Sequence, residues 1–280
     1  MIKLNGTVLN FSKFPNGETK MDETQIIEET GDYNNVFFTY EDDSDLIKLM
    51  LVRMYLGNLG VKSQLSISYM PYSRMDRTRD NSAFTLQYVA DFINALKFDA
   101  VTIFEPHSDV TPALILNCRV VYPSIEILEH VKKEIGFDEF HDVIYLPDSG
   151  AEKRYSSMIA VRNSVVGIKH RNFETGRIER LRIVGDIPYK NFKAIMIDDL
   201  CSYGGTFVMG AKALQESGAS EIYVIVTHCE NSIYSGEVFK SGLINKVYTT
   251  NSIIRKDEDP TFESLVSYEL TLQGKLKGEK

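Results

Sequence analysis

The chain is short of what a disulfide framework, a membrane anchor or a nucleic-acid binder requires. Its three cysteines, Cys118, Cys201 and Cys229, are odd in number and lack paired spacing, which fits a reducing cytosol. No apolar run approaches the length of a bilayer span. The opening "MIKLNGTVLNFSKF" also lacks the continuous apolar segment of a signal peptide. A cytoplasmic protein that stays off membranes is the expectation. Gly and Pro, at 18 and 8 residues, are not enriched, and no low-complexity block argues for disorder. Positive charge is in deficit as well. With 31 Lys and Arg against 39 Asp and Glu, the net charge of −8 argues against a nucleic-acid partner, which needs a dominant cationic field. An anionic ligand would have to be met by cations gathered locally.

What is present is a core. The 280 residues, 43% hydrophobic and 25% charged, suffice for one large or two ordinary domains. Short apolar runs rich in β-branched residues predict strands at 35–40, 65–70, 100–105, 142–147, 164–169, 193–198, 221–228 and 246–251. Helix-like stretches lie between them at 43–60, 85–97, 124–136, 153–161, 205–218 and 235–242. This alternation predicts an α/β fold of mostly parallel sheets flanked by helices on both faces. A weak boundary at "VYPSIE" divides the chain into candidate domains 1–123 and 124–280. In such sheets ligands sit beyond the carboxyl ends of strands.

One such end is "IMIDDLCSYGGTF", residues 195–207. Gly204 and Gly205 let successive backbone N–H groups turn inward, and the helix that follows adds its positive end, so the turn forms an anion nest. Asp198 and Asp199, adjacent at a strand end, repel each other unless hydroxyl donors or a cation meet them. Ribose hydroxyls beside a bound phosphate satisfy that requirement. The pattern resembles the ribose-phosphate loop of the type I phosphoribosyltransferase fold.

Further motifs narrow the resemblance. "FPNGE" (14–18), "YSRMDRTR" (72–79), "FEPHSD" (104–109), "LPDSG" (146–150), "KHR" (169–171), "VTH" (226–228) and "TNSI" (250–253) follow the order and spacing of ribose-phosphate diphosphokinases. The likeness covers nearly the whole chain. It implies two phosphoribosyltransferase-like domains in an oligomer. It also implies Mg²⁺-dependent transfer of diphosphate from ATP to the anomeric hydroxyl of ribose 5-phosphate, releasing AMP. Among these motifs, three arginines in one short loop against a negative background suit a triphosphate, because guanidinium binds phosphate oxygens in pairs. Phe14, Asn16 and Glu18 combine an aromatic face with groups able to read an adenine edge. Lys169 and Arg171 open the densest cationic segment of the chain.

By resemblance, Phe14, Asn16, Glu18, Arg74, Asp76, Arg77 and His107 belong to the ATP site, with "FPNGE" reaching into a neighbouring subunit. His107 and Asp148 are the implied metal contributors, and Lys169 and Arg171 the implied catalytic pair over the transferring phosphates. Asp198, Asp199, Ser202, Tyr203, Gly204, Gly205 and Thr206 are the implied ribose-phosphate residues. Lys153 and Arg154 either line the entrance or lie on a helix surface. Members of the family carry a strand and a helix ahead of "FPNGE", so the resemblance implies a trimmed first half. Tyr203 replaces a small hydroxyl residue. Its ring either swings outward or stacks on an extended acceptor such as ADP-ribose, which would tie the chain to NAD metabolism. A catalytically silent regulatory subunit and a phosphoribosyltransferase that consumes the product are further alternatives.

Overall fold

The computed structural model describes residues 1–78, 82–159, 162–171, 178–187, 189–254, 265–271 and 276–277, with the backbone alone for 169–171, 178–180 and 277. The chain divides into two compact units, built mainly of Met1–Val121 and of Tyr122–Glu269.

The first unit runs β1 (Ile2–Leu4), β2 (Thr7–Val8), β3 (Phe11–Lys13), β4 (Thr19–Met21), α1 (Glu23–Glu29), β5 (Tyr33–Phe38), α2 (Ser44–Asn58), β6 (Lys62–Ile67), α3 (Thr85–Ala95), β7 (Val101–Phe104), α4 (Val110–Leu114) and β8 (Cys118–Val121). Six strands form a sheet in the order β2-β1-β5-β6-β7-β8. From β5 to β8 neighbours are parallel, whereas β1 pairs antiparallel with β2 and β5 and closes one edge. The strands β3 and β4 form a separate hairpin. On α3, Leu86, Val89, Ala90 and Ile93 are buried at helical spacing, the stripe that seats the helix on the sheet.

The second unit runs α5 (Pro123–Ile135), β9 (Val143–Leu146), α6 (Ser149–Tyr155), β10 (Ser164–Arg171), β11 (Ile178–Val184), β12 (Phe192–Cys201), α7 (Gly205–Ser217), β13 (Ala219–Cys229), a 3₁₀ turn at Asn231–Tyr234, β14 (Lys246–Thr250), β15 (Leu265–Leu270) and β16 (Leu276–Lys277). Its eight strands lie in the order β11-β10-β9-β12-β13-β14-β15-β16. They are parallel from β10 through β15, while β11 folds back antiparallel on β10. Both faces are covered. Ala194 and Met196 pack with Phe207, Ala211 and Leu214 of α7. Ile195 and Ile197 pack with Ile127, Leu128 and Val131 of α5 and Ala151 and Tyr155 of α6. Pro at its first position and left-handed Gly136 at its end delimit α5.

All eight predicted strands are present, within a few residues at their ends, in parallel-rich sheets. Two helix expectations fail. The helix predicted at 153–161 starts earlier, at Ser149, because the Asp148 carboxylate accepts from the amides of Gly150 and Ala151 at 3.0 and 3.1 Å and caps it there; 160 and 161 lie outside the described residues. Residues 235–242 are turns and bends, because Gly236 is pressed against the Tyr203 carbonyl and Gly242 turns left-handed.

Candidate active site

Strand β12 delivers the acidic pair. By its two-residue period, Asp198 follows Met196 toward one face and Asp199 follows Ile197 toward the other. At the strand end a single nitrogen rejoins them: Arg154 Nη1 of α6 donates to Asp198 Oδ1 at 3.2 Å and to Asp199 Oδ1 at 2.9 Å. The three side chains are 10% (Arg154), 16% (Asp198) and 6% (Asp199) exposed, so the ion pairs lie largely out of water. Burial, and then the neighbouring Asp199 charge, push the Asp198 carboxyl well above the usual range; Arg154 pulls against both. Asp148 adds a further upward push. The guanidinium of Arg154 also lies over the Tyr155 ring, 5.4 Å from its centre.

The turn into α7 is an anion nest in form. Gly204 is its N-cap, at φ 78° and ψ 11°. The amide of Val208 bonds the Gly204 carbonyl at 3.0 Å, so the amides of Gly205, Thr206 and Phe207 have no carbonyl of their own helix to meet. Gly205 and the 64%-exposed Tyr203 ring face solvent, while Thr206 is half-buried. The phenol is therefore solvent-exposed beside the turn.

A segment without any motif buttresses this turn. The Glu230 amide bonds the Cys201 carbonyl at 2.8 Å. A Cβ on Gly236 would overlap the Tyr203 carbonyl, and one on Gly204 would overlap Val238 Cγ2. Ser202 Oγ lies 3.1 Å from Ser232 Oγ, and Ser232 donates to Glu230 Oε2 at 3.2 Å. A hydroxyl has one proton, so Ser202 is the donor to Ser232 and keeps its lone pairs for other partners.

Lys169 and Arg171 lie on the antiparallel ribbon β10–β11, opposite Leu181 and Ile178, with a register shift between His170 and Arg171. Their side chains lie outside the described residues.

In the first unit, "FPNGE" is the turn of the β3–β4 hairpin. Phe14 N bonds the Glu18 carbonyl and Gly17 N the Phe14 carbonyl, both at 2.8 Å. Asn16 Oδ1 accepts from Glu18 N at 3.2 Å, so this oxygen braces the turn, while the Phe14 ring is 47% exposed. The loops after β6 and β7 meet at buried Asp76. Arg77 grips it in a fork, Nε to Oδ1 at 2.7 Å and Nη2 to Oδ2 at 3.1 Å. Hydrogen bonding by Arg77 first, then Ser108 and the charge of His107, hold the Asp76 carboxyl below its usual range against the effect of burial. Asp76, Arg77 and His107 thus share one corner, with Arg74 exposed on the same loop; Arg79 lies outside the described residues. Glu105, buried between them in sequence, holds φ 42°, a left-handed value rare outside glycine.

Among the described residues no group of three or more His, Cys, Asp or Glu is placed to hold a metal ion, and no helix is long and apolar enough to cross a membrane. The two implied metal contributors, His107 and Asp148, belong to different units. The acidic edge of Asp148, Asp198 and Asp199 offers carboxylate oxygens but no closed cage. Any hard cation here would therefore be held mostly by water and by the phosphates of its ligand.

Sequence reasoning left Arg154 undecided and missed Glu230, Ser232, Gly236 and Val238. Nothing in their spacing signals a site. The one available hint was that Arg154 follows Asp148 on the same short helix.

Residues 151–262 match the phosphoribosyl synthetase-associated domain family. The ribose-phosphate pyrophosphokinase of Pyrococcus abyssi is 28% identical over 280 residues, covering 95% of this chain and 90% of that protein. That of Thermococcus kodakarensis is 27% identical, covering 85% and 81%. The crystal structure of phosphoribosylpyrophosphate synthetase from Mycobacterium smegmatis superposes with a TM-score of 0.72 at 20% identity, covering 94% of this chain and 86% of that one. That likeness establishes the phosphoribosyltransferase-like fold. Joined to the sequence similarity and to a strand-end acidic pair opening onto an anion nest, it leads to one conclusion: the chain is similar to ribose-phosphate pyrophosphokinases along nearly its whole length.

Proposed function

We propose that the protein transfers the terminal diphosphate of ATP to the anomeric hydroxyl of ribose 5-phosphate, yielding phosphoribosyl pyrophosphate and AMP. The observation that carries this reading is the strand end of β12, where two carboxylates precede a left-handed glycine at a helix N-terminus. Asp198 and Asp199 accept the ribose hydroxyls, and the amides from Gly205 onward receive the 5-phosphate. The anomeric oxygen forms a bond to the β-phosphorus as the bond from that phosphorus to the α-phosphate bridge breaks, and its proton leaves to solvent. Lys169 and Arg171 neutralise the moving group; in this chemistry positioning and electrostatics supply most of the rate. Asp76, Arg77, Arg74 and His107 form the nucleotide corner. Asp148, and His107 through water or phosphate, would hold Mg²⁺, which supplies charge neutralisation on the phosphates. The exposed Phe14 at the hairpin tip is offered to a neighbouring subunit, so the active form is a homo-oligomer.

The test is AMP release from Mg-ATP with ribose 5-phosphate or with ADP-ribose as acceptor. AMP formed with ribose 5-phosphate is expected. Use of ADP-ribose alone would replace the acceptor, and no AMP with either would remove the activity.

A further inference from the structure

Arg154 is the residue of this site that no motif explains. It stands in the last turn of α6, six positions after the residue that caps the same helix. Its side chain turns inward while its neighbour Lys153 stays exposed. The guanidinium rests on the fully buried Tyr155, and one nitrogen meets one oxygen of each aspartate. That nitrogen holds together two carboxyls which the strand's own alternation directs to opposite faces, alongside a hydrogen bond between the two side chains themselves. The Asp199 amide, bonded to Asp198 Oδ1 at 2.9 Å, ties the pair to the backbone but does not bring the second carboxylate round.

Two adjacent hydroxyls on a sugar ring need two acceptors close together and similarly directed. A carboxylate pair left to itself in a poorly hydrated corner relieves its repulsion by turning apart or by taking up a proton, and either change removes an acceptor from one hydroxyl. A planar guanidinium seated on an aromatic ring is a fixed anchor that prevents the turning apart and opposes the proton uptake that burial and the Asp199 charge favour; a flexible ammonium is not.

We propose that Arg154 is a positioning residue for the sugar: by bonding one oxygen of each aspartate through a single nitrogen, it sets the two carboxylates in the arrangement that receives a vicinal diol. This rests on the ribose-phosphate reading of the site. It assigns the diol, as distinct from the phosphate, to the contact between α6 and β12.

The test separates the two parts of the ligand. Calorimetric binding of ribose 5-phosphate, 2-deoxyribose 5-phosphate and inorganic phosphate is measured for the wild type, Arg154→Met and Arg154→Lys, with circular dichroism to verify folding. Arg154→Met is expected to weaken ribose 5-phosphate at least tenfold and to abolish the preference over the deoxy sugar. Inorganic phosphate, which reads only the nest, should stay within twofold. Arg154→Lys should lose at least threefold for the ribose compound alone, and it decides the matter if the methionine variant does not fold. Unchanged ribose binding and diol preference, or parallel weakening of phosphate, overturns the role. A wild type that binds ribose 5-phosphate with diol preference but releases no AMP refutes the proposed transfer and leaves this inference standing. A wild type that binds no ribose 5-phosphate sinks both.

Discussion

Replacing Gly204 by alanine tests whether the nest is shaped by its buttress. The position has φ 78°, where a Cβ costs about 1–2 kcal/mol. The new methyl group would also overlap Val238 Cγ2 and lie 3.5 Å from both Val238 Cβ and Cys201 Sγ. Val238 is only 1% exposed and has little room to move, so overpacking adds about 1–3 kcal/mol. The expected loss for Gly204→Ala is therefore about 2–5 kcal/mol. Val238→Ala alone should cost about 2 kcal/mol for the buried methyl groups and the space they leave. In the double variant the overlapping atom is gone and only the backbone cost of Gly204→Ala remains. The two changes should then couple favourably by about 1–3 kcal/mol. Urea denaturation followed by far-ultraviolet circular dichroism suits a chain with no tryptophan, with each variant compared at the transition it shifts. Gly205→Ala is the control, because its Cβ would meet no atom within 4 Å. Effects of Gly204→Ala and Val238→Ala that add within about 0.5 kcal/mol would refute the buttress.

Other perturbations separate roles that coincide at one residue. Asp148→Ala should destabilise α6 by about 1 kcal/mol through loss of its cap, whereas Asp148→Ser should retain most of the stability yet lower Mg-ATP turnover. If both variants keep full turnover, the metal role is wrong. Because the folded Asp198 carboxyl sits above its unfolded value, the native state holds a proton that the unfolded chain has released. Stability should therefore fall as pH rises through the window between those two values, and Asp198→Asn should remove that slope in melting temperature against pH. An unaltered slope would show that another group causes it. Tyr203→Thr should change stability by less than about 0.5 kcal/mol, since the ring is 64% exposed, and should leave acceptor preference within threefold. A tenfold change in acceptor preference would give the ring a part in recognition.

The long buried strands were legible because a parallel sheet covered on both faces must be apolar throughout, as "KAIMID" and "EIYVIV" are. The strands β3 and β4, "FSK" and "TKM", carried no such signal, and they exist through pairing with each other. Local chemistry was legible for a similar reason: Asp198, Asp199 and the glycines lie within a few residues of one another. Arg154 was not, because it is 44 and 45 residues from its partners. Nor was Ser232, which is 30 residues from Ser202. The β9–β12 pairing brings α6 and Arg154 to the aspartates, and the β12–β13 pairing, with Cys201 opposite Cys229, brings Ser232 to Ser202. The false helix at 235–242 has in part the same origin, since Gly236 serves a contact with distant Tyr203, while Gly242 turns the chain left-handed locally.

The bond from the Glu230 amide to the Cys201 carbonyl has an evolutionary corollary. It fastens the exits of two neighbouring strands, so the path from Glu230 to Val238 is a wall beside the glycine turn, held where Gly236 and Val238 meet it and open to exchange between those contacts. A lineage could reshape the pocket by exchanging residues along that wall while the acidic pair and the glycine turn stayed as they are. Divergence in acceptor would then be written in a stretch that motif comparison passes over.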